Sequence, residues 1–186
     1  MIAIVVGCVD ASAQDASDQE LAQRLANDRT RQSAVAKILA SGRRRVPLLL
    51  SWARKPPADV DQYQLYIGLA DAFGQLKTKE AIPFLIKNIS LDRTRPADFA
   101  PWLKAPQVIE KTFPAVAALI QIGPEASKAL IRAPWERAEA ERRLAAIFAV
   151  SRIRDPAARG FLASALGQAN MERYWAEEGL KLLDAR

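Results

Sequence analysis

Apolar residues recur three and four positions apart along most of this chain. Leu21, Leu25 and Ala26 share one helical face, and Ala34, Val35, Ile38 and Leu39 share the next. Ser17 to Glu20 reads as a capping box opening the first helix, with Glu20 three residues after Ser17. Asp28 is expected to cap the second helix, and Ser41-Gly42 to end it. A short third helix is predicted to run from the arginines at 43–45 to about Arg54, where Pro56-Pro57 stops it. Asp59 is expected to begin a longer helix through Tyr63, Tyr66, Ile67, Leu69, Ala70 and Phe73 to Gly74. Its partner is predicted over about Thr78 to Ile89.

The pattern breaks between Ser90 and Pro106. Pro96, Pro101 and Pro106 stand there with Phe99 and Trp102, which predicts an irregular insertion whose aromatics lie on neighbouring helices. Helix resumes at Gln107 and continues to Ile122, with Pro114 kinking it or marking its real start. Gly123-Pro124-Glu125 is a turn with proline at a helix start. A short helix over Ala126 to Ala133 follows. Pro134 is expected to open a helix through Leu144, Ile147, Phe148 and Val150. Asp155-Pro156 repeats the cap-then-proline signal, and a last helix covers about Met171 to Asp184. No segment sustains alternation of period two, so no strand is predicted.

The turns themselves repeat. Leu76 to Leu85 aligns with Ile122 to Leu130 and with Ile153 to Leu162, and more loosely with Ala40 to Leu49. Each has an apolar residue closing one helix, a few turn formers, then a small or apolar residue with Leu or Phe four positions on. The anchors Arg45, Ala81, Ala126 and Ala157 lie 36, 45 and 31 residues apart. Periods of that size belong to arrays of stacked helix pairs. One hairpin cannot bury its apolar stripe alone, so hairpins stack and share a core.

At Glu80-Ala81-Ile82-Pro83-Phe84-Leu85, and next at Gly123-Pro124-Glu125-Ala126, the chain resembles the HEAT-repeat family, over about residues 30 to 168. The resemblance implies an all-α fold: a right-handed solenoid of stacked antiparallel helix pairs, whose second helices line the ligand-facing side. It also implies a single repeat domain over residues 17–186, interrupted at 90–106.

Composition narrows the chemistry. The 186 residues carry 27 Lys+Arg against 21 Asp+Glu and no histidine. Without histidine there is no imidazole base, ligand or pH switch. No serine or threonine therefore has a visible base. Glu177-Glu178, and Asp59 with Asp61, are adjacent or near-adjacent carboxylates that do not face each other on a helix. None of the eight glycines sits in a phosphate-binding loop. No catalytic residue, metal ligand or cofactor is expected.

Met1 to Val9 is apolar, and Ala11-Ser12-Ala13 places small residues before Gln14 as a signal peptidase requires. A cleaved signal over 1–13 is expected, although no basic segment precedes the apolar run. The chain would then be exported, periplasmic or extracellular, and a loose lipoprotein box ending at Cys8 is the alternative. Cleavage would remove the one cysteine. No transmembrane segment is expected in the mature chain.

Candidate partner-binding residues are cationic. Lys87 and Arg132 each lie six after an anchor and form one equivalent pair, and Lys128 and Arg159, each two on from Ala126 and Ala157, form another. Such a ladder would meet phosphates or an acidic peptide. Arg43, Arg44 and Arg45 form the densest cluster, at a helix start where positive charge opposes the macrodipole. Trp52, Trp102, Trp135 and Trp175 are scattered, which suits packing better than base stacking. The expected function is a non-catalytic scaffold that holds a protein or peptide, an acidic one among the candidates, in the cell envelope. Nucleic acid gripped by a basic concave face is the alternative. A likeness to the bilin-lyase relatives of these repeats is disfavoured, since the mature chain would lack both cysteine and histidine.

Overall fold

Leu65, Leu69 and Phe73 fall on one helical face and are fully buried. Their helix lies at the centre of the computed structural model, which describes residues 11–93, 105–168 and 170–185. Met1 to Asp10, with Cys8, and the segment holding Phe99 and Trp102 lie outside the described residues. All regular elements among the described residues are helical. They are α1 (Ala11–Ala26), α2 (Arg31–Ser41), α3 (Val46–Arg54), α4 (Gln62–Gln75), α5 (Ile82–Lys87) and α6 (Pro106–Thr112). Then come α7 (Pro114–Ile122), α8 (Pro124–Arg132), α9 (Ala140–Ile153), α10 (Arg159–Ala165) and α11 (Asn170–Asp184). None is long and apolar enough to cross a membrane.

Local chemistry sets most of the boundaries. Proline occupies the first turn of α3, α5, α6, α7 and α8, where its missing N–H has no helical partner to lose. Pro114 does start a helix of its own. Phe113 before it is held in extended backbone, and this separates α6 from α7. Gly42 and Gly123 take φ of 58° and 83° at the junctions after α2 and α7, which only glycine adopts without strain. The Asp155 carboxylate accepts from the Ala157 N–H at 3.0 Å.

Four starts differ from the sequence reading. The capping box at Ser17 is not a helix start, because the alanines at 11, 13 and 16 carry α1 back to Ala11. Asp18 pairs instead with Arg45 at 2.6 Å. Asp28 pairs with Arg31, and Thr30 holds the position before α2. Asp61, not Asp59, caps α4, accepting from the Gln64 N–H at 3.1 Å. α9 begins at Ala140 rather than Pro134. The Trp135 indole N–H donates to the Leu130 carbonyl at 2.6 Å, which draws 135–137 into a separate turn against the end of α8.

Packing follows an order. α4 lies against α1 and α7, α7 against α9, and α9 against α11. The shorter α5 touches α7 and α8, and α8 touches α9 and the turn before α10. Close approach in the first set depends on missing side chains. A Cβ at Gly68 would meet the Leu25 carbonyl of α1 at 2.5 Å, and one at Gly74 would meet Ala118 Cα of α7 at 2.8 Å. One at Gly179 would meet Ser151 Cβ of α9 at 2.7 Å. Between these contacts lies one apolar core containing Phe73, Phe113 and Phe148. Each fully buried aromatic or leucine there is worth about 1.5–3 kcal/mol over an exposed one.

Arginines strap the helices across the outside of that core. Arg31 is 5% exposed and donates to the Leu25 carbonyl at 3.1 Å and to Gln64 Oε1 at 2.8 Å. Arg93 grips both oxygens of Asp71 on α4, and its Nε donates to the Lys111 carbonyl at 2.9 Å. Arg152 reaches Glu110 at 3.2 Å.

Candidate functional site

The cationic residues singled out in the sequence divide into two groups. Arg43 is paired with Glu80 at 2.9 Å, and Arg45 with Asp18 at 2.6 Å. Lys128 is paired with Glu125 at 3.1 Å, and Arg159 with Asp184. Their charge is largely answered within the chain. Arg44, Lys87 and Arg132 are exposed and make no ion pair among the described residues. Lys87 and Arg132 each close the last turn of their helix, where a cation favours the macrodipole, and those helices, α5 and α8, touch.

Lys87 borders an open hollow of about 510 Å3 between the start of α4 and the end of α5, with Tyr63 and Tyr66 on its other wall. The Tyr63 hydroxyl donates to the Asp92 carbonyl at 2.5 Å and accepts from the Asp92 N–H at 3.2 Å, which fixes that wall. Tyr66 stacks edge-on against Phe84 at 5.0 Å.

Other hollows lie beside other helix ends. One of about 500 Å3 lies between α1 and the end of α3, bordered by Trp52, Lys55 and Asp18. One of about 210 Å3 lies where α5 and α8 end and α9 begins, bordered by Ile86, Trp135, Arg137 and Arg142. One of about 160 Å3 lies where α8 and α10 end, against α9 and the first turn of α11. Trp135, Arg143 and Glu172 line it, and Arg143 pairs with Glu172 at 3.2 Å. Each of these hollows lies beside the end of a short helix, α3, α5, α8 or α10, where it packs near a longer one, and each pairs an aromatic ring with a cation.

Trp52, Trp135 and Trp175 are buried, as packing residues should be. Two of them also present an edge to these hollows, which scattered spacing does not reveal. Tyr63, Tyr66, Arg137, Arg142 and Arg143 were not singled out in the sequence. In the sequence the tyrosines read as part of a helical apolar face and the arginines as charges on a helix surface.

One carboxylate near the hollows is perturbed. Glu141, in the first turn of α9, is raised above the ordinary glutamate value, first by burial and then by the charges of Glu139 and Asp92. Glu80, in the turn before α5, is lowered, first by its own backbone N–H; burial opposes this, and Arg43 adds to the lowering. Among the described residues no group of three or more Asp, Glu, His or Cys side chains is arranged to hold a metal ion.

No protein-family model matches the chain, and no curated protein matches it.

Proposed function

We propose that this chain is a HEAT-like α-solenoid acting as a non-catalytic scaffold, which holds a protein or peptide partner along the edge carrying the hollows. The observation that carries this reading is the recurrence of an aromatic and a cation in the hollows beside the ends of the short helices α3, α5, α8 and α10. Tyr, Trp and Arg are the side chains that dominate protein interfaces, because they offer large rigid area with few rotors to freeze. The ordered contacts of α1, α4, α7, α9 and α11 support the stacked-pair arrangement. The resemblance at Glu80 to Leu85 supports the family. Arg43, Arg45, Lys128 and Arg159 are paired within the chain, which leaves fewer free cations for a phosphate backbone and favours a peptide over nucleic acid. The scaffold is read as exported, with the first 13 residues removed.

The test is peptide selection from a random library on the immobilised chain, followed by competition with Lys87→Ala, Tyr66→Ala and Arg132→Ala variants. Selected peptides are expected to weaken about three- to thirtyfold with the variants that line their hollow. Peptides unaffected by every variant, or binding only to duplex DNA with a steep loss in salt, would sink the proposal. Small-angle scattering tests the shape: a solenoid should exceed the radius of gyration of about 16 Å expected for a compact domain of this length. A reporter fused behind residues 1–14 tests export, and a reporter confined to the cytoplasm removes that element.

A further inference from the structure

Two of the hollows share a wall. Ala133 and Trp135 border both the hollow beside Arg142 and the hollow beside Arg143. Trp135 is fixed between them by its bond to the Leu130 carbonyl. The two sides differ in charge. Arg143 has its charge answered, since it pairs with Glu172 and donates to the Ala138 carbonyl at 2.6 Å. Arg142 has no carboxylate partner among the described residues. Its Nη2 makes one long bond of 3.3 Å to the Ile86 carbonyl, and its Nε is shut off from solvent with no acceptor. Arg137 stands at the same hollow, exposed and without an ion pair among the described residues. A guanidinium desolvated without compensation is costly, and an anion on its remaining N–H groups offsets that cost. On the other side of Trp135, Ile131, Ile147 and Phe161 make a slot of about 160 Å3, a fit for one apolar side chain.

We propose that these paired hollows recognise a carboxylate and an adjacent apolar side chain of an acidic peptide. The carboxylate sits on Arg142 and Arg137, the apolar group enters the slot beyond Trp135, and the Trp135 ring separates them. The carboxylate is either an acidic side chain or a chain terminus, which the same guanidinium chemistry accepts. This rests on the peptide-scaffold reading above and names the chemistry of its partner at one place.

The experiment uses the full chain labelled with 15N, observing the Trp135 indole and Arg142 Nε–H resonances, assigned with Trp135→Phe and Arg142→Lys. Three acetylated alanine-based peptides are titrated: one with an internal Leu-Glu and an amidated end, one ending in Leu with a free carboxylate, and one with Leu-Lys and an amidated end. Saturable shifts of both resonances by one of the first two are expected, and whichever binds names the carboxylate's source. The lysine peptide should bind at least about tenfold more weakly, as should the better acidic peptide to Arg137→Gln. Arg137 is exposed, so its replacement tests the charge without disturbing the fold. Equal binding of the Leu-Lys peptide overturns the assignment, as does a saturated complex in which Trp135 stays unshifted. Shifts produced only by duplex DNA also overturn it. Peptide binding at the Trp52 or Tyr66 hollows with Trp135 silent refutes this inference and leaves the scaffold reading standing. Selection that yields no peptide at any hollow removes both.

Discussion

Arg43 and Glu80 join two turns that are 37 positions apart: Nη2 of Arg43 donates to both oxygens of Glu80, at 2.9 and 3.2 Å. Arg43 lies between α2 and α3, and Glu80 between α4 and α5. The separation is close to the 36 residues between Arg45 and Ala81, the anchors of the two turns in the sequence. The Glu125 carboxyl, at the start of α8, is lowered first by its bond to Lys128, then by the charge of Lys128, and then by that of Lys79.

The Arg43–Glu80 tie should be weak and acid-labile. Glu80 has a side chain 53% exposed, so Glu80→Gln is expected to cost about 0.2–1 kcal/mol at neutral pH. Its folded pKa is lowered, so the contribution is present above the unfolded glutamate value and fades as pH falls through the folded one. Urea unfolding of both proteins should give midpoints that differ at pH 7 and converge below pH 4. A gap that persists in acid contradicts the ionic account.

Glu141 should behave with the opposite sign. Its folded pKa is raised, so it favours folding most below the unfolded glutamate value and loses that advantage as pH rises through the folded one. Glu141→Gln is therefore expected to stabilise at pH 7, by under about 0.5 kcal/mol for so exposed a residue, and to be neutral near pH 4. Paired denaturation curves at the two pH values decide it, and a variant less stable at pH 7 refutes it.

Two glycines should respond in opposite directions to alanine. Gly68→Ala places a Cβ 2.5 Å from a backbone carbonyl of α1, and overpacking of that kind costs about 1–3 kcal/mol. Gly160 lies in α10 with nothing within 4 Å of the new methyl group. Gly160→Ala should instead stabilise by about 0.4–1 kcal/mol through the unfolded chain. Thermal midpoints moving the same way for both would contradict the close-packed helix contact.

Removing Arg93 should hurt more than removing any exposed cation. Asp71 has a side chain 11% exposed and would lose a two-pronged partner. Arg93→Ala is expected to cost about 3 kcal/mol, while Lys87→Ala should stay within about 0.5 kcal/mol. Asp71→Asn in the Arg93→Ala background should recover part of the loss, because the unpaired charge is gone. Failure to recover any would mean that the Lys111 contact carries the effect.

The helix content and most of the turns were legible in the sequence. Pro114, Pro124, Ser41-Gly42 and Asp155 all act where their types predict, since each works within one turn of backbone. The misread starts were at Ser17, Asp28, Asp59 and Pro134. At Ser17, Asp28 and Pro134 a competing partner or a neighbouring good helix former outweighed a local signal, and Asp59 takes φ of 60° in the turn before the cap at Asp61. Asp18 was taken by Arg45, Asp28 by Arg31, and Trp135 by the Leu130 carbonyl.

The candidate site was legible only in part. Lys87 and Arg132 do close adjacent helices, but nothing in their spacing announces Tyr63, Trp135 or Arg142 beside them. By itself the sequence determined the helices and their junctions, because helical periodicity, proline placement and positive φ are short-range properties of the backbone. Which arginines are neutralised and where the hollows open was decided by tertiary packing. Those features need side chains from three or four helices at once, and their distances depend on how closely glycines such as Gly68 and Gly74 let the helices approach.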